Sequence, residues 1–186
     1  MAFKIKSWLI NLTGGLSWVS AGLITILSAC CPSPEVEWSS EGGVMLTCPE
    51  CWEVTDDHQN DLGGRYLQLE EGSFNSSELM IFNWADGLFD RQAFLEGSAE
   101  PFISSFQDMT LVSDVRFEGP KEVSFGRYPS LSMGYSFEAV GVEHRGHLFV
   151  ITSCEKTFLV IKQEALEDSA KNASGFELIE ASFRCG

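Results

Sequence analysis

The feature that most constrains the fold is a two-residue periodicity in the second half of the chain. Apolar residues alternate with small or polar ones in the order Leu131, Ser132, Met133, Gly134, Tyr135, Ser136, Phe137 and Glu138. Successive side chains of a strand point to opposite faces of the sheet, so this alternation is typical of a strand with one buried face. The pattern therefore predicts a strand over 130–140 in a sheet that the rest of the chain covers.

Further segments rich in β-branched and aromatic residues surround this strand. They predict strands over 44–47, 52–55, 65–69, 78–84, 111–117, 121–125, 144–153 and 156–162, the last two forming an antiparallel pair through a tight turn at Cys154 and Glu155. The segment 56–64 is predicted to be a polar loop.

Two segments have helical spacing. Asp90 is placed to be the N-cap of a helix over 90–106, which Pro101 should kink or split. A closing helix is predicted over 163–183, with a break near Gly175. Strands and helices together predict an α+β fold with a central antiparallel β-sheet flanked by helices, in a single domain over 44–186.

The N-terminal segment has the pattern of an export signal. Its first 29 residues contain two charged side chains, Lys4 and Lys6, which are followed by an apolar stretch over 16–27 and by Ser28, Ala29 and Cys30. Residues 30–43 contain prolines, glycines and serines, which predict a flexible tether between the signal and the domain.

The run Leu27-Ser28-Ala29-Cys30 resembles the lipobox of bacterial lipoproteins. The resemblance implies cleavage before Cys30, lipid on its thiol, and a cell-envelope protein anchored to a membrane by that lipid. Because Cys31 and not Asp follows Cys30, the family's sorting pattern favours the outer membrane, facing the periplasm, in a host with two membranes. The alternative is an uncleaved membrane span over 8–29, and in either case the domain lies outside the cytoplasm.

The charge of the chain restricts its partners. The formal net charge is −15 at pH 7. A field of this sign repels phosphate groups, so nucleic acid and anionic lipid headgroups are poor partners. The acidic residues are spread along the sequence, which is typical of a solvated surface.

Six cysteines also indicate an exported protein. With lipid on Cys30 an odd number remains, and the disulfide candidates are Cys48, Cys51, Cys154 and Cys185. The Cys48-Pro49-Glu50-Cys51 motif lies between two predicted strands, which favours a structural turn. Two alternatives stay open for these thiols, a four-cysteine zinc site and a thiol-disulfide function of the Cys48/Cys51 pair.

No motif predicts catalysis. The chain has no G-x-S-x-G sequence and no glycine-rich phosphate loop, and it offers no residue pattern for a cofactor. His144 and His147 lie three residues apart in a strand and should point to opposite faces, so they do not predict a metal site. Trp38 and Trp52 are the candidates for a partner-binding surface.

A second resemblance covers about residues 44–185. The run Gly126–Tyr135, the strand Gly146–Thr152 and the terminal Ile179–Arg184 are similar in sequence and order to the PsbP-like group, which shares its fold with Mog1 and with DcrB-type envelope lipoproteins. The resemblance implies a non-catalytic module that binds or assembles another envelope protein. The alternatives are a thiol-disulfide or metal-dependent function at Cys48 and Cys51, and a carrier of a small apolar ligand.

Overall fold

The computed structural model describes residues 35–40, 42–60, 64–72, 78–107 and 109–186. The predicted signal, the predicted lipidation site Cys30 and the start of the predicted tether lie outside these residues. The described part is an α+β fold with a large antiparallel sheet, a small one and two α-helices.

The large sheet has eight strands. In chain order they are β3 (Trp52–Gln59), β4 (Arg65–Glu71), β5 (Leu79–Asp86), β6 (Val112–Phe117), β7 (Lys121–Phe125), β8 (Tyr128–Ala139), β9 (Val142–Ser153) and β10 (Lys156–Ala165). Across the sheet the order is β3-β4-β5-β10-β9-β8-β6, and β7 pairs with the first half of β8. The small sheet has the order β1-β2-β11, with β1 (Val36–Ser39), β2 (Val44–Cys48) and β11 (Arg184–Cys185).

Each face of the large sheet packs against one helix. Leu148 and Val150 of β9 join an apolar cluster with residues of α1 (Arg91–Gln107), whereas Phe149 and Ile151 join the cluster that contains residues of α2 (Ser169–Ser182). The strict alternation along β9 places these pairs on opposite faces. The apolar positions of β8 predicted from the sequence, Leu131, Tyr135 and Phe137, lie on the α1 face.

Helix α1 begins as predicted but does not split. The carboxylate of Asp90 accepts a 2.9 Å hydrogen bond from the backbone N–H of Ala93, which confirms the N-cap. The helix continues through Pro101 to Gln107. Buried residues on both sides of the proline, Leu95 and Phe106 among them, hold the helix on the sheet, and tertiary packing of this kind outweighs local propensity.

The C-terminal prediction requires a correction. The segment 163–165 continues strand β10, and α2 begins only at Ser169 after a short 3-10 turn at Leu166–Asp168. Gln163 pairs with Gly146 and Glu164 pairs with Arg145 in the β9–β10 ladder, so both residues are in a strand and not in the helix. The predicted break at Gly175 is wrong as well, because α2 runs unbroken to Ser182.

The first strands also differ from the prediction. Part of the predicted tether forms β1, in which Trp38 pairs with Leu46 of β2. The structural turn predicted at Cys48–Cys51 is present, since the backbone N–H of Trp52 donates to the carbonyl of Pro49 at 3.1 Å. Strands β2 and β3 lie in different sheets, so this turn connects the two sheets. The predicted polar loop after position 55 is strand up to Gln59, with a bulge between Val54 and Asp56.

Among the described residues, no helix is long and apolar enough to cross a membrane.

Candidate binding surfaces

The two histidines of the His144-Arg145-Gly146-His147 segment lie on opposite faces of the large sheet. His144 is buried on the α1 face, where its ring stacks on Phe137 at a centroid distance of 4.9 Å. His147 lies on the α2 face and contacts Phe149. The two imidazoles therefore cannot bind one ion, as the strand geometry predicted.

Strand register gathers charged side chains around His147. In the β9–β10 pair, His147 lies opposite Lys162, and Arg145 lies opposite Glu164. All four belong to the α2 face, because each lies two or four residues from an apolar residue of that face. Together with Ser132 of β8 and Glu180 of α2 they form what we call the His147 cluster: Ser132, Arg145, His147, Lys162, Glu164 and Glu180.

The cations of this cluster are paired with carboxylates. Lys162 Nζ lies 2.7 Å from Glu180 Oε1 and 4.6 Å from the ring centroid of Phe176. Both Nε and Nη2 of Arg145 lie 2.8 Å from Glu164 Oε1. These contacts fix two long side chains above the surface of the sheet.

Burial lowers the pKa of His147 below its ordinary value. The nearby positive charges of Lys162 and Arg145 act in the same direction, while Glu118 and Glu180 oppose them. The imidazole is therefore neutral at neutral pH. Its Nδ1 lies 3.4 Å from Ser132 Oγ, and this is the one hydrogen bond that the structure gives to the ring within the described residues.

Glu164 uses only one of its two carboxyl oxygens in this pairing. Its side chain is 8% exposed, and its second carboxyl oxygen, Oε2, is buried and has no hydrogen-bond partner in the described structure. An unpartnered buried polar atom costs about 1–3 kcal/mol, and more for a charged group. Glu164 lines a depression of about 240 Å³ whose other lining residues are Arg145, Gly146, His147 and Lys162.

The arrangement suits binding better than acyl transfer. A serine nucleophile activated by histidine also needs a group that orients the second ring nitrogen. In the described part of the chain no carboxylate accepts a hydrogen bond from His147, whose one hydrogen bond joins it to Ser132. The cluster instead offers hydrogen-bonding groups of both kinds around a shallow depression.

A second surface is apolar and lies at one end of the large sheet. Val140 is 66% exposed, Leu111 is 55% exposed, and the backbone N–H of Val140 donates to the carbonyl of Leu111 at 3.3 Å. Leu166 is also exposed, and it lines a depression of about 280 Å³ together with Gly141. We call Leu111, Val140 and Leu166 the apolar tip.

The hairpin turn at the apolar tip is strained. Val140 and Gly141 are the two turn residues between β8 and β9, and both have positive φ angles, 53° and 81°. Asn-Gly is the preferred pair for such a turn, because a β-branched residue is sterically disfavoured in the left-handed region. Val140 thus keeps an exposed apolar side chain at the cost of local strain.

The cysteines are arranged as follows in the described residues. Cys154 and Cys185 form a disulfide that joins the β9–β10 turn to β11. Cys51 is disulfide-bonded. Cys48, one of the sequence-based disulfide candidates, is a buried free thiol, so Cys48 and Cys51 are not bonded to each other.

The structure does not favour either alternative for these thiols. Burial, followed by the negative charge of Glu53, raises the pKa of Cys48 to about 11, which leaves the thiol protonated at neutral pH. A zinc site would need the sulfurs of Cys51, Cys154 and Cys185, all of which are engaged in disulfides. The described residues contain no group of three or more potential metal ligands.

The two tryptophan candidates for partner binding lie in or against the core. Trp52 is 4% exposed and packs edge-on against Phe176 of α2 at 5.1 Å, so it is not a surface residue. Trp38 is half-buried and packs against the same apolar cluster from β1. Neither indole stands out from the surface in the way that Val140 does.

The fold defines a class of single-domain α+β protein with a large antiparallel sheet between two helices. No protein-family model and no curated protein sequence matches the chain. Its structure is similar to the solution structure of cyanobacterial PsbP (CyanoP) from Synechocystis sp. PCC 6803, with a TM-score of 0.59 and 10% identity over 89% of this chain and 98% of that one. The predicted PsbP-like fold is confirmed.

Two further solved structures resemble the chain. A protein from Bacteroides thetaiotaomicron VPI-5482 has a TM-score of 0.53 and 14% identity over 81% of this chain and 48% of that one, so the chain spans about half of its length. LpqN, involved in cell envelope biogenesis of Mycobacterium tuberculosis, has a TM-score of 0.47 and 11% identity over 81% of this chain and 89% of that one. At these identities the likeness concerns the fold alone.

Neither binding surface was identified from the sequence. The His147 cluster depends on the register of three strands, and Glu164 was predicted to lie in a helix, so its residues were not grouped. The apolar tip had a local signal, since Val140-Gly141 follows an alternating strand at the place of a two-residue hairpin turn.

Proposed function

We propose that this protein is a lipid-anchored, non-catalytic binding module that docks on another protein of the cell envelope. The N-terminal pattern ending at Cys30 supports the anchor, and the disulfides of Cys51 and of the Cys154–Cys185 pair support an oxidising compartment outside the cytoplasm. In a host with two membranes the proposed site is the outer membrane, with the domain in the periplasm.

The observation that carries the docking proposal is the strained, exposed Val140 beside Leu111. Backbone strain persists where function requires it, and an exposed apolar group at the tip of a hairpin is suited to insertion into a partner's pocket. Acidic residues border the tip: Glu138 pairs across the strands with Glu143, and Glu143 and Glu167 line the depression beside Leu166. The proposed partner therefore offers an apolar pocket with a basic rim.

The substitution Val140→Asn separates docking from folding. Asparagine adopts the left-handed conformation more readily, so we expect the domain to become more stable by about 1 kcal/mol while it loses the apolar contact. Tagged protein is purified from gently solubilised membranes after crosslinking, and the bound proteins are identified by mass spectrometry. A partner that recurs with the wild type should be lost with Val140→Asn.

Val123→Asn is the matched control, because Val123 is an exposed valine in β7, away from the tip. It should retain the partner. If Val140→Asn and Val123→Asn retain the partner equally, the apolar tip is not the docking surface. If no protein recurs with the wild type, the docking proposal fails as a whole.

The anchor has a separate test, the intact mass of the mature protein. We expect a chain that begins at Cys30 and carries acyl groups. A Cys30→Ala variant should be neither acylated nor cleaved at this bond. Cleavage of the variant before position 30 would contradict the proposed lipid site.

A further inference from the structure

The His147 cluster has an unmet hydrogen-bonding requirement. Glu164 Oε2 is buried and has no hydrogen-bond partner in the described structure. Both nitrogens of Arg145 that contact Glu164 lie against the other oxygen, Oε1. Glu164 lines the depression while Oε2 itself is buried, so a small rotation of the carboxylate is needed before a group in the depression donates to this oxygen. A cationic donor such as an ammonium group matches it best.

The opposite end of the depression offers the complementary chemistry. Lys162 has one of its three ammonium hydrogens directed at Glu180, which leaves two for another acceptor. His147 uses Nδ1 towards Ser132, which leaves Nε2 for a ligand. An anionic oxygen placed here contacts Lys162 and His147 together.

The spacing of these groups limits the size of the ligand. Lys162 and Glu164 lie two residues apart on one face of β10, which corresponds to about 7 Å along the strand. Two hydrogen bonds of about 2.8 Å span most of this distance, so the donor and the acceptor of the ligand must lie close together. A depression of about 240 Å³ accommodates a small molecule of this kind.

We propose that the depression beside His147 binds a free amino acid, with its ammonium group on Glu164 Oε2 and its carboxylate between Lys162 and His147. The site is distinct from the apolar tip, so it gives the proposed envelope module a second, small-molecule ligand. Both charges of the ligand are required, since the site presents one unpaired acceptor and a separate group of donors.

The test uses the mature, full-length domain and glycine as the probe. The ring protons of His147 are followed by NMR during titration with glycine, with acetate, or with methylammonium. We expect saturable shifts of the His147 signals with glycine at millimolar concentration and at least tenfold weaker effects with either single-charge probe. His144, on the opposite face of the sheet, is the internal reference and should not shift.

The substitution Glu164→Gln should weaken glycine binding at least tenfold, and the same change at Glu167, which lines the other depression, should leave it unchanged. If acetate binds as well as glycine, the site is a simple anion site and the amino-acid proposal is wrong. Tight binding of methylammonium alone contradicts it too, as does the absence of any His147 shift with glycine. The wild-type titrations decide the question even if Glu164→Gln does not fold, and a negative result leaves the docking proposal at Val140 untouched.

Discussion

Gly175 of α2 lies directly against the indole ring of Trp52 at the start of β3. A Cβ atom built on Gly175 would come within 2.7 Å of Trp52 Nε1 and 3.2 Å of Cε2. Both residues are buried, and Trp52 is also held by Phe176. The close approach of helix and strand at this point therefore requires the absence of a side chain at position 175.

We expect Gly175→Ala to destabilise the domain. Alanine in a helix interior gains about 1 kcal/mol over glycine, but overpacking a rigid buried ring costs about 1–3 kcal/mol. The expected net result is a free energy of unfolding that falls by about 1 kcal/mol. Urea denaturation followed by tryptophan fluorescence measures it.

Gly97→Ala is the matched control for this prediction. Gly97 lies in the interior of α1, is exposed, and has no heavy atom within 4 Å of its hypothetical Cβ. The same substitution should here raise the free energy of unfolding by about 0.5–1 kcal/mol. If Gly175→Ala and Gly97→Ala raise the free energy of unfolding equally, the Trp52 ring moves aside for the added methyl group and the prediction is wrong.

Gly175 also illustrates what the sequence can and cannot predict. Its position in a helical segment indicated a break, because glycine has a low helix propensity. The actual reason is its contact with Trp52, a residue more than a hundred positions away, and no local pattern contains that information. The strands were located well because a two-residue alternation is a local property of the chain.

The candidate site was harder to predict than the strands. His147 and Arg145 were visible as polar residues of one strand, but Lys162 and Glu164 join them only through the register of the β9–β10 pair. Glu164 was even assigned to the closing helix, since its neighbours fit a helical pattern. A hairpin register fixed from the turn at Cys154 and Glu155 would have paired these residues.

Removal of the Cys154–Cys185 disulfide should strongly destabilise the domain. The two cysteines are 31 residues apart, and closing a loop of this length restricts the unfolded chain by about 3–4 kcal/mol. Strand β11 is short and pairs with β2 over two residues, so the disulfide is a main attachment of this end of the chain. We expect the Cys154→Ser, Cys185→Ser double variant to lose about 3 kcal/mol in urea denaturation.

The double variant, and not chemical reduction, isolates this bond, because reductant also opens the disulfide of Cys51. Reductant should therefore destabilise the double variant further. An unchanged urea midpoint for the double variant would mean that strand pairing, the hydrogen bond from the Cys185 N–H to Tyr128 and the packing of Phe183 suffice to hold β11.

Cys48 should react slowly with alkylating reagents in the folded protein. Its thiol is buried, donates to the carbonyl of Trp52 at 3.2 Å, and has a pKa raised from 9.0 to about 11. At pH 8 the thiolate is about a hundredfold scarcer than for a thiol at the ordinary pKa of 9.0. Iodoacetamide labelling followed by mass spectrometry should give a rate that increases up to about pH 11 and becomes ordinary in urea.

The raised pKa of Cys48 also links stability to pH. The folded state holds the thiol proton more tightly than the unfolded state, so the associated stabilisation is complete below pH 9 and is lost as the pH rises to about 11. Cys48→Ala should remove this dependence from urea denaturation curves measured between pH 8 and 11. Rapid labelling of native Cys48 at pH 7 would contradict both the slow alkylation and the pH dependence of stability expected here. It would support the thiol-disulfide alternative instead.

The disulfide of Cys51 provides an independent check on the proposed lipid anchor. Among the described residues Cys51 is disulfide-bonded, Cys48 is free, and Cys154 is bonded to Cys185. The sequence has two further cysteines, Cys30 and Cys31. A thiol that carries lipid cannot form a disulfide. If Cys30 is acylated, we therefore expect Cys51 to be joined to Cys31 in the mature protein.

Non-reducing proteolysis and mass spectrometry of the membrane-extracted protein identify this bond. The expected result is a peptide pair linked through Cys31 and Cys51, with acyl mass on Cys30 in the same preparation. Cys31→Ser should then release Cys51 as a second free thiol, whereas Cys48→Ser should leave the linkage intact. A Cys30–Cys51 bond in the mature protein would exclude lipid on Cys30 and overturn the proposed anchor, because one sulfur atom cannot serve both purposes.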